Sequence, residues 1–91
     1  MKKSITLLIF GKVQGVFFRI KSKQKAESLS LTGWVKNIPT GEVEIFAEGD
    51  EKNLKKLIDW CYNGIDNANV KKVDVKYGVY KAEFDKFVIM L

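Results

Sequence analysis

Two glycines four residues apart, Gly11 and Gly15, lead into Arg19, and an asparagine follows at position 37. A glycine-containing connection that opens a helix is suited to hold an anion. Without side chains the backbone approaches a ligand closely, and the free N–H groups of the first helical turn point at it. Arg19 adds a planar guanidinium fork that grips two phosphate oxygens at once. A cation in the first turn opposes the helix dipole by about 0.3–1 kcal/mol, so its presence there asks for a reason. It is also the only arginine among sixteen basic residues, placed where a lysine's point charge would not give a bidentate grip. Plainer alternatives are a glycine-bearing turn, an Arg19 ion pair to Glu27 or Asp50, and an asparagine that merely precedes a Pro-Gly turn. No Gly-Lys-Ser/Thr or GxGxxG string is present, so this is neither a P-loop nor a Rossmann fingerprint.

Other chemistry is limited by what the chain lacks. With no histidine among 91 residues there is no imidazole base, no Ser-His or Cys-His nucleophile and no histidine-containing metal site. The single cysteine, Cys61, makes no internal disulfide or CxxC site, and its place on an apolar helical stripe marks it as a core residue. The net charge of +5 favours anionic partners. One cysteine and no export signal point to a cytoplasmic setting: the apolar run after Met1-Lys2-Lys3 is too short and runs into Gly11-Lys12 without a cleavage site. No stretch approaches the ~18 apolar residues of a membrane helix.

The elements that must position these residues follow from periodicity. Residues 4–10 are β-prone and apolar on both faces, which predicts a central strand. Residues 11–18 form the connection, and residues 19–30 a helix with Phe18, Ala26 and Leu29 on its apolar side. Residues 31–37 read as a strand and 38–41 as a turn. Over 42–48 Val43, Ile45 and Ala47 face inward, with Glu42, Glu44, Phe46 and Glu48 outward. Asp50 caps a second helix whose Leu54, Leu57, Ile58 and Cys61 share a face and which Gly64 ends. Val73, Val75, Tyr77 and Val79 alternate with polar residues in another strand, and 84–91 is a last strand. The order is β-α-β-β-α-β plus a short extra strand in one domain, residues 1–91: an α/β two-layer sandwich (α+β) of ferredoxin-like type with a mostly antiparallel sheet. The strands flanking the first helix run parallel with another between them, so Arg19 and Asn37 converge at their carboxyl edge, where ligands commonly bind.

Taken together, Gly11-Lys12-Val13-Gln14-Gly15-Val16-Phe17-Phe18-Arg19, then Gly33-Trp34-Val35-Lys36-Asn37 and Gly41-Glu42-Val43, closely resemble both signatures of the acylphosphatase family at that family's spacing. The resemblance covers nearly the whole chain. It implies the ferredoxin-like fold and hydrolysis of the carboxyl–phosphate anhydride of acyl phosphates without metal or cofactor. It also implies that the backbone N–H groups of Gly15, Val16, Phe17, Phe18 and Arg19 cradle the phosphate, that Arg19 holds its oxygens, and that Asn37 positions the attacking water. Ser30 departs from the glycine that often ends the family's first helix, Thr40 from its usual turn residue, and Met90-Leu91 from its usual terminus.

The expected partner is a small acyl phosphate, with inorganic phosphate as product and inhibitor, and the expected state is a monomer without nucleic-acid or membrane partners. One alternative is a non-catalytic anion- or RNA-binding module of the same fold, with Phe10 and Phe46 as stacking platforms on the open sheet face. Against it, no RNP1-like string occurs, and three outward glutamates around Phe46 repel a phosphate backbone. Lys21, Lys23 and Lys25 could steer anions but read more simply as a solvated helix face.

Overall fold

In the computed structural model, which describes residues 1–63 and 68–90, Ile5, Leu7 and Ile9 are fully buried while Thr6, Leu8 and Phe10 are half-buried. That alternation defines β1 (Lys2–Lys12), with one face toward the core. The strand runs two residues past the expected end because Gly11 carries a register shift against a neighbouring strand. Its φ of +128°, and an Asn69 carbonyl where a Cβ would stand, admit only glycine there.

Next come α1 (Phe18–Ser28), β2 (Thr32–Asn37), β3 (Val43–Asp50), α2 (Glu51–Asn63), β4 (Asn69–Val79) and β5 (Phe87–Ile89). The sheet order is β4-β1-β3-β2-β5. β1 pairs antiparallel with both β3 and β4, β2 antiparallel with β3, and β5 parallel with β2. β1 and β2 are therefore parallel with β3 between them, the expected ferredoxin-like arrangement with its extra strand.

Both helices feed one core. Phe18 and Ala26 of α1 and Leu54, Leu57 and Cys61 of α2 are buried with Val35, Val43, Ile45 and Ala47 of the sheet. Asp50 caps α2 by accepting from the Lys52 N–H at 3.0 Å, and the stop expected at Gly64 lies outside the described residues. Cys61 is the core residue that its stripe predicts, and burial pushes its thiol up to about 12.

Three expectations need correction. Glu48, expected outward, is 1% exposed: its carboxylate accepts from the Lys81 N–H at 2.7 Å and the Glu83 N–H at 3.0 Å. Those bonds, with Ala82 at φ 53°, curl the chain away from the sheet, so the last strand is only Phe87–Ile89; Leu91 lies outside the described residues. In β4 only Val73 is buried on the inward side, and Val75, Tyr77 and Val79 are exposed, the strand outrunning the apolar cover that the helices provide.

Candidate active site

The carboxyl ends of β1 and β2 meet at one edge of the sheet, and a cleft of about 420 Å³ opens there. Arg19 and Asn37, distant in sequence, both line it, together with Gly15, Phe17 and Phe18. Val16 is not part of the lining; its side chain packs against the core from the loop between them.

Local chemistry shapes the glycine-loop side of the cleft. Gly15 has φ +72°, with open space where a Cβ would be. Phe17 stands before α1 in the left-handed region, at φ 63° and ψ 18°, and no side chain caps the helix. Among the described residues none of the N–H groups from Gly15 to Arg19 donates to a backbone carbonyl outside the helices and strands. The Lys21 N–H is the first to do so, reaching the Phe17 carbonyl at 3.0 Å. Successive amides without backbone partners at a helix N-terminus are the kind of arrangement that suits an anion. Below these amides, the buried Ser22 hydroxyl donates to the Phe18 carbonyl at 2.5 Å.

Arg19 is half-buried and makes no ion pair among the described residues. Its two suggested partners are engaged elsewhere. Glu27 holds Lys23 at 2.6 Å, and Asp50 faces the N-terminal amine at 3.8 Å. Asn37 occupies the last paired position of β2, opposite Val43. The turn after it is closed by the Ile38 N–H to the Glu42 carbonyl at 2.8 Å and the Gly41 N–H to the Ile38 carbonyl at 2.9 Å. Among the described residues the Asn37 Oδ1 is buried without a partner, a situation that is uncommon in native structures and asks for a reason.

Two contributors were not anticipated. The Gln14 side-chain amide donates to the Ile38 carbonyl at 2.7 Å and the Glu42 carbonyl at 2.9 Å, tying the glycine loop to the turn beyond Asn37. Nothing local in the sequence signals a bond across 24 and 28 residues. Ile89 closes the cleft from β5, a position that depends on the parallel pairing with β2.

The open-face alternative fares less well. Phe46 lies between Trp34, at 6.0 Å and stacked, and Phe84, at 5.8 Å and tilted, so its ring is engaged within the protein. Phe10 sits under the Lys72 ammonium at 5.4 Å.

The acylphosphatase family model matches residues 5–89. The chain belongs to the acylphosphatase family. It is 41% identical over 88 residues to the acylphosphatase of Methylococcus capsulatus, covering 97% of this chain and 96% of that protein. To the acylphosphatase of Marinobacter nauticus it is 48% identical over 81 residues, covering 89% and 88%. The crystal structure of Bacillus subtilis acylphosphatase superposes with a TM-score of 0.94 at 33% identity and complete coverage of both chains.

Within this acylphosphatase frame the departure at Ser30 has a structural consequence. Ser30 takes φ 57° immediately after the Leu29 cap of α1. Its N–H reaches the Glu27 carbonyl at 3.0 Å, and the Leu31 N–H reaches the Ala26 carbonyl at 2.9 Å. This is a Schellman ending with serine in glycine's left-handed place. Thr40, the other internal departure, directs its hydroxyl to the Glu42 carboxylate at 2.5 Å within the turn.

Proposed function

We propose that this cleft hydrolyses acyl phosphates, with the amides from Gly15 to Arg19 cradling the phosphate, Arg19 gripping its oxygens and Asn37 holding the attacking water. One observation carries the proposal: an Arg19 and an Asn37 Oδ1 that have no partner among the described residues line the same cleft beside uncapped helical amides.

The chemistry needs no more than this. Water adds to phosphorus as the bond from phosphorus to the acyl oxygen breaks, giving a carboxylate and dihydrogen phosphate from an acyl phosphate dianion. The leaving carboxylate needs no general acid. Catalysis is then positioning plus neutralisation of charge on the equatorial oxygens, which amide donors and a guanidinium supply. The Asn37 Oδ1 accepts a hydrogen bond from the water and so aims its lone pair at phosphorus; the proton finally lost goes to a phosphate oxygen of the substrate. The step runs without metal or cofactor. Phosphate monoesters leave as poorer alkoxides and react far more slowly.

The chain acts as a monomer in the cytoplasm, a setting that suits one buried, unpaired thiol, and has no nucleic-acid or membrane partner. No helix among the described residues is long and apolar enough to cross a membrane.

The test is hydrolysis of acetyl phosphate with chelator present. Removal of one transition-state donor costs about 10²–10³ in kcat, so Arg19→Ala and Asn37→Ala are each expected to lose at least that, with inorganic phosphate competing against substrate in the wild type. An Arg19→Ala enzyme of undiminished activity would place the chemistry elsewhere. Monoesters hydrolysed as fast as acetyl phosphate would refute the leaving-group argument.

A further inference from the structure

β4 is the last strand on its side of the sheet, and among the described residues no strand pairs along its outer edge. Beyond the register shift near its start, residues 72–79 run regularly, each opposite a residue of β1. A long regular edge presents a row of free N–H and C=O groups to another strand. On its helix side Val75, Tyr77 and Val79 are exposed. β4 thus leaves both its backbone edge and its apolar stripe uncovered.

The charges on β4 decide what fits that edge. Asp74 is the only acidic residue in the strand, against Lys71, Lys72 and Lys76. Lys72 holds Asp74 at 3.3 Å, whereas Lys76 makes no ion pair among the described residues. Two copies of one edge strand meet antiparallel about a two-fold axis normal to the sheet, with each residue opposite one on the same face. A register centred on Asp74 opposes Asp74 to itself and Lys72 to Lys76, every charge facing its like. One centred on Lys76 opposes two lysines at the axis. One centred on Val73 runs at once into the irregularity between Lys72 and Val70. Centred on Val75, the register sets Asp74 against Lys76 twice and Val73 against Tyr77 twice. Lys72 then faces Gly78, which has no side chain. Opposite charges, and aromatic with β-branched residues, are favourable cross-strand pairs, whereas like charges are not.

We propose that β4 pairs antiparallel with β4 of a second copy, in the register centred on Val75, so that two sheets become one. The contact is isologous and closes at two chains. It spans a single strand edge, far less than the roughly 20–30 residues a side of a stable interface. The dimer therefore forms reversibly as concentration rises, and the dilute chain stays a monomer. No residue of β4 lines the cleft, so each copy keeps its own site.

Sedimentation equilibrium at rising protein concentration, up to the millimolar range, is expected to show the wild type passing from monomer to dimer. Asp74→Lys sets lysine against Lys76, and Lys76→Asp sets aspartate against Asp74. Each is expected to raise the dimer Kd at least about tenfold, and the double exchange to recover most of that loss. Acetyl phosphate turnover per chain is expected to be unchanged in all three, which shows them folded. Val75→Cys places two thiols at the axis, where facing Cα atoms lie about 4.5–5.5 Å apart, within disulfide reach. With oxidised glutathione this variant is expected to couple into a covalent dimer. Val79→Cys, whose counterpart lies far along the partner strand, is expected to stay single, and the native Cys61 is buried.

A wild type that remains a monomer at every concentration would overturn the proposal. A dimer insensitive to both single exchanges would also overturn it, by placing the contact on another face. Coupling of Val79→Cys as fast as Val75→Cys would refute the register.

Discussion

Gln14 carries a consequence out of proportion to its size. Its amide spans the Ile38 and Glu42 carbonyls and so links the loop that presents the amides to the turn that follows Asn37. Loss of that link frees Asn37 to drift relative to the glycine loop, and in the proposed mechanism misplacement near an ångström is costly. Gln14→Ala is expected to lower kcat by about tenfold while changing phosphate inhibition far less. In an Asn37→Ala background the same change should lower kcat no further, since residues acting through one another are not additive. Steady-state kinetics of the four-member cycle decides it: independent effects would show Gln14 acting elsewhere. That Arg19 and Asn37 would share one cleft was legible in the sequence, because the strand order brings both to the same sheet edge and the family signatures include both. Gln14 was not, because its meaning lies in two carbonyls that only the folded chain brings near.

α1 ends less comfortably than it begins. A left-handed conformation costs a residue with a Cβ about 1–2 kcal/mol, and glycine's greater unfolded-state freedom returns roughly 0.5–1 kcal/mol of that difference. Ser30→Gly should therefore stabilise the protein by about 0.5–1 kcal/mol, raising Tm by about 2–8 °C. A calorimetric Tm equal to or below that of the wild type would show that the Ser30 backbone is not strained. At this scale the pattern of apolar residues predicted most of the fold. Leu54, Leu57 and Cys61 bury at helical spacing and Val43, Ile45 and Ala47 at strand spacing. Legibility failed where tertiary bonds override pattern: Phe84 looks like the start of the terminal apolar run, yet the Glu48 carboxylate holds the preceding Lys81 and Glu83 amides, and the strand begins only at Phe87, after Asp85 and Lys86. The same side chain was misplaced outward because alternation says which face of a sheet a residue takes, not what later covers that face.

For the molecule as a whole, the buried thiol makes stability depend on alkaline pH. Cys61 is lifted from an ordinary 9.0 to about 12 by burial, because the core accepts only the neutral form. Between those values the folded protein holds a proton that the unfolded chain has released, so stability is complete below pH 9 and falls by roughly 1.4 kcal/mol per pH unit above it. Cys61→Ala removes this component. Its deficit relative to the wild type, read from denaturant melts, should narrow between pH 9 and pH 11, and a constant deficit would mean that the thiol ionises normally. β5 has a different whole-molecule consequence. Its three residues pair with Gly33, Trp34 and Val35, so the middle of β2's outer rim is already paired and not open to a second chain. Unguarded rims of this kind template intermolecular pairing. The short terminal strand, reached through the Glu48-held curl, is thus a safeguard against aggregation, and it shields the same strand that ends in Asn37.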